Sequence, residues 1–215
     1  MSDEILFYSS PMSRGRMVHW MLEESGAPYR LQLINLQKGQ QRDPAFLAVN
    51  PMGKLPAVVY RGVVVTETAA IITWLADAFP AAGLAPRPED PERGAFLRWM
   101  FFCATCFDAA LMDRMLQRPP PEGGPRAAGA LGYGSYERTV ATVEQALEPG
   151  PWLLGERFTA ADLYLASQIG FGLFTRALEP KPVFLDYVAR ATARPAHERF
   201  KAKSDALVAE LKAAG

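Results

Sequence analysis

Two cysteines and two histidines in 215 residues are too few for a disulfide framework, and they leave little for a zinc centre. An excess of charge of one sign is also lacking, since 23 Lys and Arg stand against 23 Asp and Glu. Neither nucleic acid nor an anionic membrane surface is therefore an expected partner. No run approaches the roughly 20 apolar residues of a membrane span. The chain passes from Met1-Ser2-Asp3-Glu4 into a short apolar run with no basic, hydrophobic leader. So little cysteine fits a reducing compartment. The expectation is a soluble cytoplasmic protein without a bound metal. What is present is apolar: 49% of the residues are hydrophobic, enough for a sizeable core in one large or two small domains.

The first 80 residues alternate strand and helix. Ile5-Leu6-Phe7-Tyr8 reads as a strand, Ser9 to Ser13 as a turn, and Arg16 to Ser25 as a helix ended by Gly26. Tyr29 to Leu36 alternates as a second strand, and a polar loop from Gln37 to Asp43 leads to a short helix around Pro44 to Ala48. Two β-branched runs across Arg61-Gly62 read as a hairpin. A βαβ start followed by a hairpin predicts a mixed four-stranded α/β sheet, an order that resembles a thioredoxin-like domain. A Pro-, Ala- and Gly-rich boundary at 81–91 separates 1–80 from 92–215. The second part reads as an all-α helical bundle. Its elements are a helical run from Glu92 to Arg118 interrupted at Pro119 to Gly124, a helix to Glu148, helices to Ala177 and from Val183 to Thr192, and a last one from Pro195. Thr159 and Asp162, with Phe158 and Leu163 beside them, form a capping box with its staple.

Most of the functional information lies in Asn50-Pro51-Met52-Gly53-Lys54-Leu55-Pro56, which runs into the hairpin and then into Glu67-Thr68 at a helix start. Pro56 opens a strand, where a missing amide donor is tolerated, and Leu55-Pro56 is a candidate cis bond. The amides and hydroxyl at Thr68 make an anion site. Backbone presented beside an anion pocket suits an extended peptide with a free carboxylate. This stretch resembles the "NPxGKxP…ES" pattern of the glutathione transferase family, with Thr68 in place of the more frequent Ser. The resemblance runs over nearly the whole chain. It implies that the backbone of Leu55, before Pro56, pairs with the cysteinyl part of glutathione, and that Glu67 and Thr68 hold the γ-glutamyl amine and carboxylate. Gln41 and Arg42 fall where phi-like members hold the glycine carboxylate with a His-Lys pair, and Lys54 is a further candidate there.

Conjugation chemistry then asks what stabilises the glutathione thiolate. A free thiol has a pKa of about 8.5, and lowering it by ~2 units takes ~2.7 kcal/mol. One hydroxyl donating to a charged acceptor supplies ~1.5–3 kcal/mol and a helix N-terminus ~0.3–1. A hydroxyl at the start of the first helix therefore suffices. Tyr8, Ser9, Ser10 and Ser13 compete for this role, and Ser13 sits at the natural N-cap. The run Leu6 to Ser13 is similar to "LYGSPMS" of serine-type members, whose last Ser is catalytic. It differs from the beta-class "SPGACS", because Arg14 stands where that pattern has cysteine. Arg14 remains an alternative.

The electrophile is expected between the domains, against Tyr8, Met12, Phe107, Met112, Met115 and Phe174, since adaptable Met suits a broad apolar pocket. Cys103 and Cys106 form a C-x-x-C inside an apolar helical run, away from the first strand-to-helix turn where a redox pair belongs, and are expected to pack as core. His19 reads as a surface or packed residue and His197 as a solvated helix-start residue. The resemblance implies a homodimeric transferase that joins glutathione, as co-substrate, to hydrophobic electrophiles. Glutathione-dependent peroxidase, isomerase or dehalogenase activity stays open, as does a non-catalytic binding protein on the same fold.

Overall fold

The computed structural model describes residues 3–119 and 124–213. The strands are β1 (Ile5–Ser9), β2 (Tyr29–Leu33), β3 (Ala57–Tyr60) and β4 (Val63–Thr66). The helices are α1 (Gly15–Ser25), α2 (Pro44–Leu47), α3 (Thr68–Ala78), α4 (Arg93–Phe102), α5 (Asp108–Met115), α6 (Gly124–Ala130), α7 (Tyr136–Leu147), α8 (Ala160–Phe174), α9 (Pro182–Thr192) and α10 (Pro195–Ala213). The second strand stops at Leu33, three residues short of the expected end. Of the Pro119 to Gly124 interruption, residues 120–123 lie outside the described residues.

The chain forms two units, Met1–Leu84 with Ala193–Gly215, and Ala85–Thr192. The sheet of the first has the order β2-β1-β3-β4, with β1 parallel to β2 and antiparallel to β3, and β3 antiparallel to β4. This is the mixed four-stranded arrangement the sequence implied. Successive β1 residues face opposite sides. Phe7 is fully buried against His19 and Tyr29, while Tyr8 turns to Phe46 in a smaller cluster with Ile34, Ala57 and Leu55. Helices α1 and α3 pack together through their apolar stripes, including Met17, Val18, Met21, Ile71, Ile72 and Leu75, all buried.

The last helix was expected with residues 92–215, but α10 packs on α1 in the first unit. Polar pairing accounts for this. Arg194 grips both carboxylate oxygens of Glu24 at 2.8 Å. Lys203 Nζ donates to Glu23 Oε1 at 2.6 Å, and Arg199 Nη2 to the Glu23 carbonyl at 2.9 Å. Phe200 is buried against His19, and Trp20 meets the His197 ring edge-on at 4.7 Å. His197 is thus half-buried in an aromatic cluster rather than solvated.

The second unit is helical, and its described residues hold no strand beyond one isolated bridge, Trp152 to Gly155. The run from Arg93 to Met115 is 23 residues and by length and composition could cross a membrane, contrary to the sequence expectation. Its stripe Phe96, Trp99, Met100, Cys103, Phe107 and Leu111 is nonetheless buried. The run is not regular, for a π turn at Cys103–Phe107 separates α4 from α5. The carbonyl of Cys103 accepts from Asp108 N and also from Gln168 Nε2 at 3.0 Å, so a buried amide from α8 supports the turn. Cys103 is fully buried, and burial pushes its thiol well up, which fits a packing role.

Candidate functional site

Strand register assembles the site. Tyr8 pairs with Ala57, and Ala57 pairs with Thr66. The segments that continue from these positions therefore leave the same end of the sheet. They are the turn Ser9 to Arg14, the entry Leu55-Pro56, and the helix start Glu67-Thr68. The loop after Leu33 joins them, because Ser9 pairs with Leu33. This end lies where β1 divides a parallel neighbour from an antiparallel one, a position at which α/β sheets commonly bind ligands.

The Leu55-Pro56 peptide is cis, as expected from the sequence. Asn50, which opens the sequence motif but was given no role of its own there, builds the loop in front of it. Its Nδ2 donates to the Lys54 carbonyl at 2.8 Å, its Oδ1 accepts from Met52 N at 3.1 Å, and its carbonyl accepts from Gly53 N at 2.9 Å. Asn before Pro was the available signal, since Asn side chains organise turns around their own backbone. Gly53 has φ of +61°, and a Cβ there would stand 3.0 Å from the Gln41 carbonyl. This close approach brings Gln41 beside Lys54, two candidates that are distant in sequence. Gln41 lies on the 3-10 turn Gln40–Arg42, and its Oε1 is buried without a hydrogen-bond partner. Arg42 and Lys54 are exposed.

Glu67 holds φ of +66° and ψ of 124°, a conformation that non-glycine residues rarely adopt. Its side chain makes no cap hydrogen bond and is exposed, and among the described residues no Lys or Arg pairs with it. Backbone strain of this kind clusters at ligand sites, which keeps Glu67 a candidate contact. Thr68, the next residue, opens α3 and is 7% exposed, so its amide sits at a buried helix start.

At the first turn, the helix proper begins at Gly15 with Arg14 as its boundary residue, one position later than the expected cap. Ser13 nevertheless caps it, because its Oγ accepts from Gly15 N at 3.0 Å. The same hydroxyl donates to the Ser10 carbonyl at 2.8 Å, and Ser13 N donates to that carbonyl at 3.1 Å. Ser13 is half-buried, while Ser9 and Ser10 are 4% and 1% exposed. Of the four hydroxyls weighed from sequence, Ser13 and Tyr8 keep partial exposure.

The remaining candidates are spread. Tyr8 is half-buried and Met12 is 72% exposed in the first unit. In the second, Phe107 is fully buried within the π turn, Met112 and Met115 are half-buried on α5, and Phe174 is 86% exposed at the end of α8. Among the described residues no group of three His, Cys, Asp or Glu is placed to hold a metal.

Two family models match the chain, the glutathione S-transferase N-terminal domain over residues 10–78 and the glutathione S-transferase C-terminal domain over 92–171. The glutathione S-transferase GstA of Escherichia coli O157:H7 is 31% identical over 162 residues, 74% of this chain and 78% of that protein. A crystal structure of a glutathione transferase from Methylococcus capsulatus aligns with a TM-score of 0.77 at 30% identity, covering 94% of this chain and 98% of the other. A sphingomonad glutathione S-transferase complexed with glutathione aligns with a TM-score of 0.75 at 26% identity, covering 93% and 98%.

Proposed function

The chain belongs to the glutathione S-transferase family, and from this we propose that the end of the sheet formed by Ser13, Leu55-Pro56 and Glu67-Thr68 binds glutathione and activates its sulfur for attack on hydrophobic electrophiles. The observation that supports the reading is the Tyr8–Ala57–Thr66 register, by which the Ser13 turn, the Leu55-Pro56 edge and the Thr68 helix start leave one end of the sheet.

Each end of the tripeptide has a matching partner. The ammonium of the γ-glutamyl end pairs with Glu67, and its carboxylate lies at the Thr68 amide and hydroxyl. The cysteinyl backbone runs along Leu55, and the glycyl carboxylate reaches Lys54, Gln41 and Arg42. The thiolate accepts the Ser13 hydroxyl. To donate there, Ser13 releases the Ser10 carbonyl, which keeps the Ser13 amide as a donor, so no buried acceptor is orphaned. The sulfur then attacks the electrophilic carbon, forming a C–S bond as the bond to the leaving group breaks or a strained ring opens. Tyr8 and Met12 are the candidates on this unit for contact with the electrophile. We further propose that the protein acts as a cytoplasmic homodimer.

A panel of aryl halides, epoxides, enals and hydroperoxides with glutathione tests the reading. Turnover of one class supports it and defines the reaction, whereas tight glutathione binding with no turnover would favour a binding protein. In the same assay, Ser13→Ala is expected to fold and bind glutathione nearly as before, yet lose about 10- to 100-fold in kcat, the worth of one charge-assisted hydrogen bond. Retained activity would return the role to Tyr8, Ser10 or Arg14. Glu67→Ala is expected to weaken glutathione binding by about 1–2 kcal/mol, an exposed charge pair being partly screened. An unchanged dissociation constant by calorimetry would remove Glu67 from the site.

A further inference from the structure

We infer that Gly15 is a positioning residue for the Ser13 hydroxyl, which it holds both through its amide and through the space left by its missing side chain. The inference rests on the thiolate role proposed for Ser13. The Gly15 amide donates to Ser13 Oγ at 3.0 Å, and that oxygen is tied on its other side to the Ser10 carbonyl at 2.8 Å. A free serine spreads over its staggered rotamers, whereas these two bonds select one. Donation from the amide also polarises the hydroxyl and makes it a better donor in turn.

The space matters as much as the bond. A Cβ built on Gly15 would stand 2.1 Å from Ser9 Oγ, 2.9 Å from Ser13 Oγ and 3.1 Å from Ser9 Cβ. Ser9 can swing its hydroxyl away, but its Cβ cannot follow. Ser9 is the last residue of β1, paired with Leu33, 4% exposed, and its carbonyl accepts from Ile34 N at 2.8 Å. The added methyl therefore presses on the Ser13 oxygen, the softer of its two neighbours. Backbone conformation does not call for glycine here, because Gly15 has no positive φ and starts a right-handed helix. Helix propensity alone favours alanine at this position. Clearance for Ser13 and Ser9 is the physical reason that glycine fits.

The test measures glutathione conjugation to an activated aryl chloride by wild type, Gly15→Ala, Ser13→Ala and the double variant, with thermal melts and the pH profile of kcat/KM. Gly15→Ala is expected to melt below wild type, since buried Ser9 must give way, yet to stay folded at assay temperature and to lose about tenfold in kcat, since a misplaced catalytic group is costly. Its KM for glutathione should change by less than about threefold, and the acid limb of its profile should move up by roughly one pH unit. The double variant should be no slower than Ser13→Ala, because both changes remove the same interaction. A fully active Gly15→Ala beside a crippled Ser13→Ala overturns the positioning role alone, as does a double variant in which the two losses multiply. A fully active Ser13→Ala overturns the Ser13 assignment and the positioning role with it. Should Gly15→Ala fail to fold, Ser9→Gly combined with Gly15→Ala removes the two Ser9 contacts, leaves the one with Ser13, and is judged by the same outcomes.

Discussion

Asp162→Ala is expected to destabilise the protein by roughly 3–5 kcal/mol, because four buried neutral donors lose the one carboxylate they share. Asp162 is fully buried, and its two oxygens accept four hydrogen bonds. Oδ2 takes the Thr159 amide and hydroxyl, both at 2.8 Å. Oδ1 takes the Leu153 amide at 2.8 Å and the Tyr187 hydroxyl at 2.7 Å. Truncation would leave these donors in a dry core, each costing about 1–3 kcal/mol if nothing replaced the carboxylate. Thr159→Ala removes one hydroxyl and leaves three donors satisfied, so it should cost only about 1 kcal/mol, as a lost cap does. Denaturant midpoints at neutral pH check both values. Equal losses for the two variants would mean that Asp162 is only a cap. Neither change should alter glutathione affinity, since both residues belong to the helical unit.

The contrast between those variants marks how far local sequence carries. Thr159-Ala160-Ala161-Asp162 announces a capping box because its partners are three residues apart and the geometry is that of any helix start. Nothing near Asp162 in sequence points to Leu153, held from a preceding loop, or to Tyr187, on the next helix. The strand start at Pro56 and the hairpin were legible for a related reason: a proline ahead of a β-branched run and the turn pair Arg61-Gly62 are local signals. Glu67-Thr68 was legible as a helix start, but the left-handed backbone of Glu67 was not, because nothing in the residue's identity requests it. The π turn at Cys103–Phe107 was equally hidden. An apolar stripe at 96, 100, 103, 107 and 111 suits an unbroken helix, and the carbonyl that Gln168 supports lies 65 residues from it in sequence. Gly15 drew no reading from the sequence, because its meaning lies in how close Ser9 approaches. The placement of α10 was missed for the same reason, since Arg199 and Glu23 are 176 residues apart.

That last contact leads to an expected pH dependence. The stability of the protein should fall by about 3 kcal/mol between pH 6.5 and pH 4, through His19. Burial drives the His19 imidazole from its ordinary 6.5 down to about 4, with Lys203 and Arg16 adding to this and Glu23 opposing it. The ring is 4% exposed, and Nε2 lies 2.8 Å from the Tyr29 hydroxyl. That hydroxyl spends its proton on Glu23 Oε1 at 2.7 Å, so Nε2 carries the hydrogen and His19 is the neutral donor in the chain. Between the two pKa values the unfolded chain binds a proton that the folded one refuses, so stability drops as pH falls, at about 1.4 kcal/mol per unit. Glu23 extends the trend. Burial pushes its carboxyl up, but hydrogen bonds from Lys203, Tyr29 and Arg199 outweigh this and hold it below its ordinary 4.5. A depressed carboxyl stabilises above its unfolded value and loses that contribution as pH falls below it, so the second loss begins where the first is ending. Urea unfolding of wild type and His19→Gln at pH 7 and pH 4.5 separates the two. Glutamine can still donate to Tyr29 but does not titrate, so its stability should change far less over that interval. A His19→Gln variant that weakens as steeply as wild type would place the titrating group elsewhere and leave the docking of α10 on α1 without its histidine.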